Sequence, residues 1–132
     1  MSWIYQGIPL TEIPEGYAAF VYLITNKINN KKYIGKKLFY FSKTKILKGK
    51  RKRIKVESDW KDYWSSSEDV KKDVKELGEE NFERTILKLC INKGSASYFE
   101  AKEQFINEVL ENPDLWYNGQ IHVRVHRSHI KK

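Results

Sequence analysis

Residues 18–41 read AAFVYLITNKINNKKYIGKKLFYF, and the fold turns on how this stretch is parsed. Its first eight residues are apolar, β-branched or aromatic almost without a break, which suits a strand buried on both faces. NKINNKK then supplies an Asn-rich polar turn, and residues 32–41, KYIGKKLFYF, return as a second strand-like run. Two such runs across a short turn predict a β-hairpin. Alternate side chains of a strand point to opposite faces, so Tyr22 and Tyr33 on neighbouring strands can share one side and present two phenols to one groove. A phenol with a pKa near ~10 is neutral at pH 7 and accepts a proton from water only where nearby cations stabilise the phenolate. Lys36 and Lys37 both sit close enough in sequence to do so.

Around this pair the remaining elements follow from spacing. Residues 1–17 contain Pro9, Pro14, Gly7 and Gly16 and read as an irregular lead-in whose Trp3, Ile4 and Ile8 pack onto the body. In SDWKDYWSSS, Ser58 or Asp59 caps a short turn of helix that gathers Trp60, Tyr63 and Trp64 on one side. Ser66 or Ser67 caps EDVKKDVKELG, where Val70, Val74 and Leu77 recur at helical spacing and Gly78 is placed to end the helix. FERTILKLC, residues 82–90, reads as a third strand. Residues 95–111 form the longest helix, with Tyr98, Ala101, Phe105 and Val109 on one face, stopped by Asn112 and Pro113. A turn at Asn118–Gly119 precedes the alternating run Ile121, Val123, Val125, which adds a fourth, edge strand if it pairs. The expected fold is α+β: a small antiparallel sheet of three strands, or four with that edge, flanked by helices in a single domain over residues 1–132.

The charge is concentrated. The chain has 25 Lys and Arg against 17 Asp and Glu, a formal net charge of +8, yet residues 31–55 hold twelve cations and no acid. The other 107 residues carry 13 basic and 17 acidic side chains, a net of −4. Such a segment attracts a polyanion. Its densest part, residues 42–56 (SKTKILKGKRKRIKV), lacks apolar periodicity and is expected to be a solvated loop or arm. If Lys43, Lys45, Lys48, Lys50, Arg51, Lys52, Arg53 and Lys55 make six or more phosphate contacts, DNA affinity falls by roughly three orders of magnitude between 50 and 200 mM salt. Trp60, Tyr63 and Trp64 beside the arm either stack on bases or pack as core. No apolar run approaches bilayer length, there is no signal-peptide pattern, and the single Cys90 cannot form an internal disulfide. The protein is expected to be soluble and cytoplasmic, with no membrane partner. His122, His126 and His129 stand without thiols at zinc spacing, so no structural metal is expected.

With Tyr22 on the first strand, Tyr33-Ile34-Gly35 on the second, one acid in the helix YFEAKEQF (Glu100) and an Asn after Trp116-Tyr117 (Asn118), the chain resembles the GIY-YIG endonuclease family over roughly residues 18–120. YIGKK, SDWKDYW and EAKEQF look most like its small phage-encoded, homing or Seg-like members. The resemblance implies a metal-dependent DNA endonuclease. Tyr22 would accept a proton from the attacking water, Tyr33 and a neighbouring lysine such as Lys37 would position that water, and Glu100 would hold a single Mg²⁺ or Mn²⁺. Asn118 would be a positioning group, or only a turn residue before Gly119. Hydrolysis would leave a 5′-phosphate and a 3′-hydroxyl. The family's phosphate-binding Arg has no clear counterpart here: Lys36, Lys37, Arg51 and Arg53 follow Gly35, and Arg51 or Arg53 is favoured for that contact. Phe20 stands where the first motif has Gly. Glu100 also fits a capping box with Ser97, but Ser95 is an equally good cap and would leave Glu100 inside the helix. A catalytically silent nucleic-acid-binding module on the same scaffold is the alternative. Sequence preference is then expected from the arm, from residues 1–17, from a dimer or from a partner.

Overall fold

The computed structural model describes residues 1–130. The described residues form seven strands and two α-helices, in chain order β1 (Trp3–Tyr5), β2 (Ile8–Leu10), β3 (Ala19–Asn26), β4 (Lys32–Leu38), β5 (Tyr40–Leu47), β6 (Lys50–Glu57), α1 (Glu68–Leu77), β7 (Phe82–Cys90) and α2 (Lys93–Ile106). The α+β class stands, but the sheet is larger than expected and mixed. Five strands lie in the order β2-β1-β7-β3-β4, and β5 and β6 form a separate two-stranded sheet. β3 pairs antiparallel with both β4 and β7, while β1 runs parallel to β7 through Ile4–Thr85 and Tyr5–Ile86.

β3 is continuous in apolar residues because both its faces are covered. Phe20, Tyr22 and Ile24 project into a core with Trp3, Phe39, Trp60, Phe82 and the Val70/Val74 stripe of α1. Ala19 and Val21 project the other way, onto Ile34, Cys90 and Ala96 of α2. Ser67 caps α1, its hydroxyl accepting from the Val70 N–H at 3.3 Å, and Gly78 ends the helix at φ 93°, where a side chain would be strained.

Five sequence expectations are corrected. Residues 1–17 are not irregular throughout: β1 and β2 form a hairpin across Gln6–Gly7, both at positive φ, although Ile8 stays exposed. Each strand is three residues long, too short for alternation to be visible, and Pro9 is tolerated because β2 is an edge. The run 32–41 breaks at Phe39, which turns into the core. Residues 42–56 are no loop, since β5 and β6 pair without a bulge across a Lys48–Gly49 turn, again with both residues at positive φ. Helix α2 starts at its cap Asn92, whose Oδ1 accepts from the Ser95 N–H at 2.7 Å, and ends at Ile106 before Glu108 at φ 51°. Its buried face is Ser95, Ala96, Ala101 and Gln104, whereas Phe105 is 62% exposed. Residues 121–125 form no strand; Ile121 alone packs against the α2-side core.

Trp60 is wholly buried, and its neighbours Tyr63 and Trp64 pack against the same core, so this aromatic cluster is structural at its centre. At the short 3-10 turn Trp60–Asp62 the Ser58 hydroxyl accepts from the Trp60 N–H at 3.2 Å, while the Asp59 carboxylate makes no cap and turns to Lys37 instead. Arg84 of β7 lies between Trp3 and Trp64, its guanidinium carbon 4.7 and 4.4 Å from their ring centroids, and donates to the carbonyls of Tyr63 and Met1. Burial pulls its pKa down to about 10. No helix among the described residues is long and apolar enough to cross a membrane.

Candidate active site

Tyr22 pairs across the β3–β4 ladder with Gly35, and Tyr33 with Ile24, so the two tyrosines are diagonal neighbours on the α1 side of the sheet. Their ring centroids are 6.2 Å apart. Gly35 is what allows this. A Cβ at position 35 would lie 2.4 Å from Tyr22 Oη, 2.5 Å from Cζ and 2.9 Å from Tyr33 Cε1. The third residue of YIG is therefore the floor on which the Tyr22 ring rests. β7 adds to the aim: its register against β3 slips between Val21 and Tyr22, with Val21 opposite Lys88 and Tyr22 opposite Ile86. A bulge of this kind bends the strand and re-aims side chains beside it.

The two phenols differ in environment. Tyr22 is 1% exposed, and its pKa is pushed well above the ordinary value, first by burial and then by the phenols of Tyr63 and Tyr33 and the Glu100 charge. Tyr63 meets it edge-on with centroids 5.9 Å apart. Tyr33 is only partly buried, its hydroxyl 3.3 Å from Ser66 Oγ, and opens onto a cleft of about 380 Å³ bounded by Ser66, Asp69, Tyr117 and Gln120. Its pKa is also raised, by burial, with Ser66 acting in the opposite sense. A larger cleft of about 630 Å³ behind Tyr63, between Asp59 and Lys75, is lined by neither Tyr22 nor Tyr33 nor Glu100.

Glu100 lies inside α2, seven residues past its first residue, so the capping-box reading falls. Its carboxylate is 14% exposed and 3.6 Å from Lys36 Nζ. Burial raises its pKa and Lys36 offsets part of that rise. Its partner Lys36 is the residue after Gly35, so the carboxylate sits beside the part of β4 on which the Tyr22 ring rests, and its charge adds to the upward shift of both phenols.

Asn118 is buried and fully engaged: Oδ1 accepts from the Ile34 N–H at 3.0 Å, and Nδ2 donates to the Ile34 carbonyl at 2.8 Å. Gln104 of α2 donates to the same carbonyl at 3.0 Å. Just before it, Lys32 and the chain at Leu115–Tyr117 exchange two backbone bonds of 2.9 and 2.7 Å. Asn118 thus does a strand's hydrogen bonding with a side chain and pins the residue between Tyr33 and Gly35.

The cations divide. Lys36 belongs to Glu100. Lys37 is held by Asp59 at 2.6 Å and lies 4.1 Å from the Tyr63 ring centroid, not against Tyr22 or Tyr33. Among the described residues, no hydrogen bond, ion pair or ring contact joins Arg51 or Arg53 to the tyrosines or to Glu100. Both sit on β6, outside the cluster. Residues not anticipated as part of the site are Tyr63, Ser66, Asp59 and Gln104. The aromatic-rich SDWKDYWSSS stretch was the signal for the first three; an exposed-looking Gln on a charged helix gave none.

A mixed sheet carrying two diagonal phenols, a glycine beneath one of them and a helical glutamate paired with Lys36 fits the nuclease-domain family that the sequence resembles. Residues 3–121 match the family model described as "Putative endonuclease segE, GIY-YIG domain". The chain belongs to the GIY-YIG endonuclease family, of the Seg-like type. No curated protein and no solved structure matches it.

Proposed function

We propose that the protein is a metal-dependent endodeoxyribonuclease that hydrolyses phosphodiester bonds with the tyrosine pair as its proton-handling centre. The observation that carries this reading is the packing of Tyr22 on Gly35 beside Tyr33, with Glu100 charged against both phenols. Tyr33, at the cleft, orients a water against the phosphorus. Tyr22 as phenolate takes a proton from that water while the water oxygen bonds to phosphorus, the P–O3′ bond breaks, and the departing 3′ oxygen takes up a proton from solvent, leaving a 5′-phosphate and a 3′-hydroxyl. Burial keeps Tyr22 protonated at neutral pH, and the two nearby lysines are held by carboxylates, Lys37 by Asp59 and Lys36 by Glu100, so the phenolate forms once one of them is freed as DNA binds. A lysine of the β5–β6 hairpin, reaching in on bound DNA, supplies a phosphate contact. Asn118 and Gln104 act at one remove by fixing Ile34.

The donor set fits one hard divalent ion. A single half-buried carboxylate, with no group of three His, Cys, Asp or Glu side chains among the described residues, suits a Mg²⁺ or Mn²⁺ that takes its other ligands from phosphate and water. Glu100 would hold it once Lys36 moves off, and when bound it would stabilise charge on the leaving oxygen.

Purified protein incubated with Mg²⁺ or Mn²⁺ on long duplex and branched DNA, with the cut ends mapped, tests the proposal. Tyr22→Phe and Glu100→Ala should abolish most cleavage. Uncut DNA with the parent protein, or undiminished cutting by both variants, overturns it. A second reading, a binding module without chemistry, is favoured by the near-complete burial of Tyr22. Binding unchanged by EDTA with no products at any metal concentration would select it.

A further inference from the structure

We propose that the β5–β6 hairpin is a sequence-reading ribbon that lies in the DNA major groove, Arg51 and Arg53 facing base edges and the lysines of its other face reaching phosphates. This rests on the reading that the partner is DNA.

The register sorts the hairpin into two chemically distinct faces. Directly opposed residues share a face, and the pairs are Ser42–Lys55, Thr44–Arg53 and Ile46–Arg51 on one side and Lys43–Ile54, Lys45–Lys52 and Leu47–Lys50 on the other. Every lysine of the turn-proximal half except Lys48 itself therefore lies opposite the arginines. The first face offers two guanidiniums, two hydroxyls and Ile46, which is 70% exposed, with Lys55 at its root end beside the body of the protein. This is the chemistry that base edges take up: a fork for guanine O6 and N7, hydroxyls for either donor or acceptor, and a methyl-bearing surface for thymine. The second face offers four lysines, point charges suited to phosphates and blind to sequence.

Shape agrees. Eight paired residues at about 3.4 Å each make a ribbon of roughly 27 Å, and a two-stranded ribbon is one of the two elements the ~12 Å major groove admits. Residues 41–53 are exposed throughout, and no third strand joins the pair. An isolated two-stranded hairpin is marginal in water, so its root is anchored. Phe39 is buried, and Ser58 closes the base through its N–H to the Phe39 carbonyl at 2.8 Å and its hydroxyl to the Leu38 carbonyl at 2.7 Å. Phe41, on the lysine face, has Lys37 4.8 Å from its ring centroid, which makes that face continuous with the Tyr63 side of the candidate site. Phosphates can thus track from the lysines to the tyrosines while the arginines read the groove.

The test is binding in EDTA, so that no cleavage enters, of the full chain to a pool of random duplexes, with the bound fraction sequenced and affinity followed against salt. The variants are Arg51→Ala/Arg53→Ala, Arg51→Lys/Arg53→Lys, and Lys45→Ala/Lys52→Ala, which removes two charges from the other face. The lysine pair should lower the slope of log affinity against log salt by about 2 and the Arg→Ala pair by clearly less, because only phosphate contacts release counterions in full. The Arg→Ala pair and the charge-preserving Arg→Lys pair should both flatten the parent's sequence preference by roughly tenfold or more; the lysine pair should leave it intact. Methylation of guanine N7 should interfere with binding of the parent and not of the Arg→Lys pair. A parent without sequence preference, a preference that survives Arg→Lys, or a lysine pair that flattens it equally would overturn the proposal. A parent that binds with preference yet never cuts with metal would sink the nuclease reading and leave this one standing.

Discussion

The five-stranded sheet and the β5–β6 hairpin are built from adjoining residues of the same chain, yet they follow opposite rules. In the sheet, β3 is buried on both faces, its two tyrosines are locked by a glycine floor and a bulge, and an Asn side chain completes the edge. In the hairpin, both faces meet water, and the backbone ladder and the anchored root hold the strands together against the mutual repulsion of their cations. The contrast separates positioning from attraction. Chemistry needs groups held to fractions of an ångström, which burial supplies, whereas capture of a polyanion needs charge at reach, which exposure supplies.

The comparison breaks most sharply at the carboxylate and the phenol. Glu100→Ala and Tyr22→Phe should each slow cleavage by at least ~10²-fold while leaving DNA binding in EDTA within about twofold. Steady-state cleavage and fluorescence anisotropy measured side by side decide this. The pH profile sharpens it further. Glu100 has a raised pKa, so it stays protonated at pH values where an ordinary glutamate is ionised, and the acid limb of cleavage should lie above the usual glutamate range. Lys36→Gln removes the charge that lowers it and should move that limb to still higher pH. On the alkaline side, a buried phenol that must ionise predicts a rate that keeps rising with pH through 9.

Next in size is the floor. Gly35→Ala drives a Cβ into the Tyr22 phenol and should cost about 1–3 kcal/mol in urea unfolding, together with most of the activity, because the displaced group is the reacting one. Asn118→Ala leaves the Ile34 N–H without its partner and should cost about 1–3 kcal/mol, with cleavage falling in proportion as β4 loosens. The smallest effect is expected at the hairpin: neutralising Lys43, Lys45, Lys50 and Lys52 should change stability by no more than ~0.5 kcal/mol while DNA binding weakens at every salt concentration. A loss of stability there comparable to Gly35→Ala would erase the distinction between the two regions.

What could be read from sequence follows the same division. The β3–β4 hairpin, α1 with its Ser67 cap and Gly78 stop, and β7 were legible because burial on a face imposes a period on the residues. The hairpin of residues 40–57 was not, since two wet faces impose none and Lys48–Gly49 lacks the Asn-Gly signature of its turn. β1 and β2 escaped for a different reason, being three residues each and held by Trp3 and a parallel partner far along the chain. At the site, Tyr22 and Tyr33 lie side by side across the β3–β4 ladder, and Glu100 is held by Lys36, the residue after Gly35. Lys37 and Asn118 reach different partners, Asp59 and Ile34, because long-range contacts choose among side chains that look equivalent in a string. The face of α2 was misassigned by about a quarter turn, as Gln104 rather than Phe105 points inward to bond a carbonyl.

One further consequence lies in the Asn118 clasp. With residues 115–118 bonded along Lys32–Ile34 of β4 and Pro9 offering no N–H on β2, both outer strands of the five-stranded sheet carry a block to further pairing. The hairpin's margins are exposed as well, and a second copy paired there would set cation against cation, which disfavours stacking of identical chains.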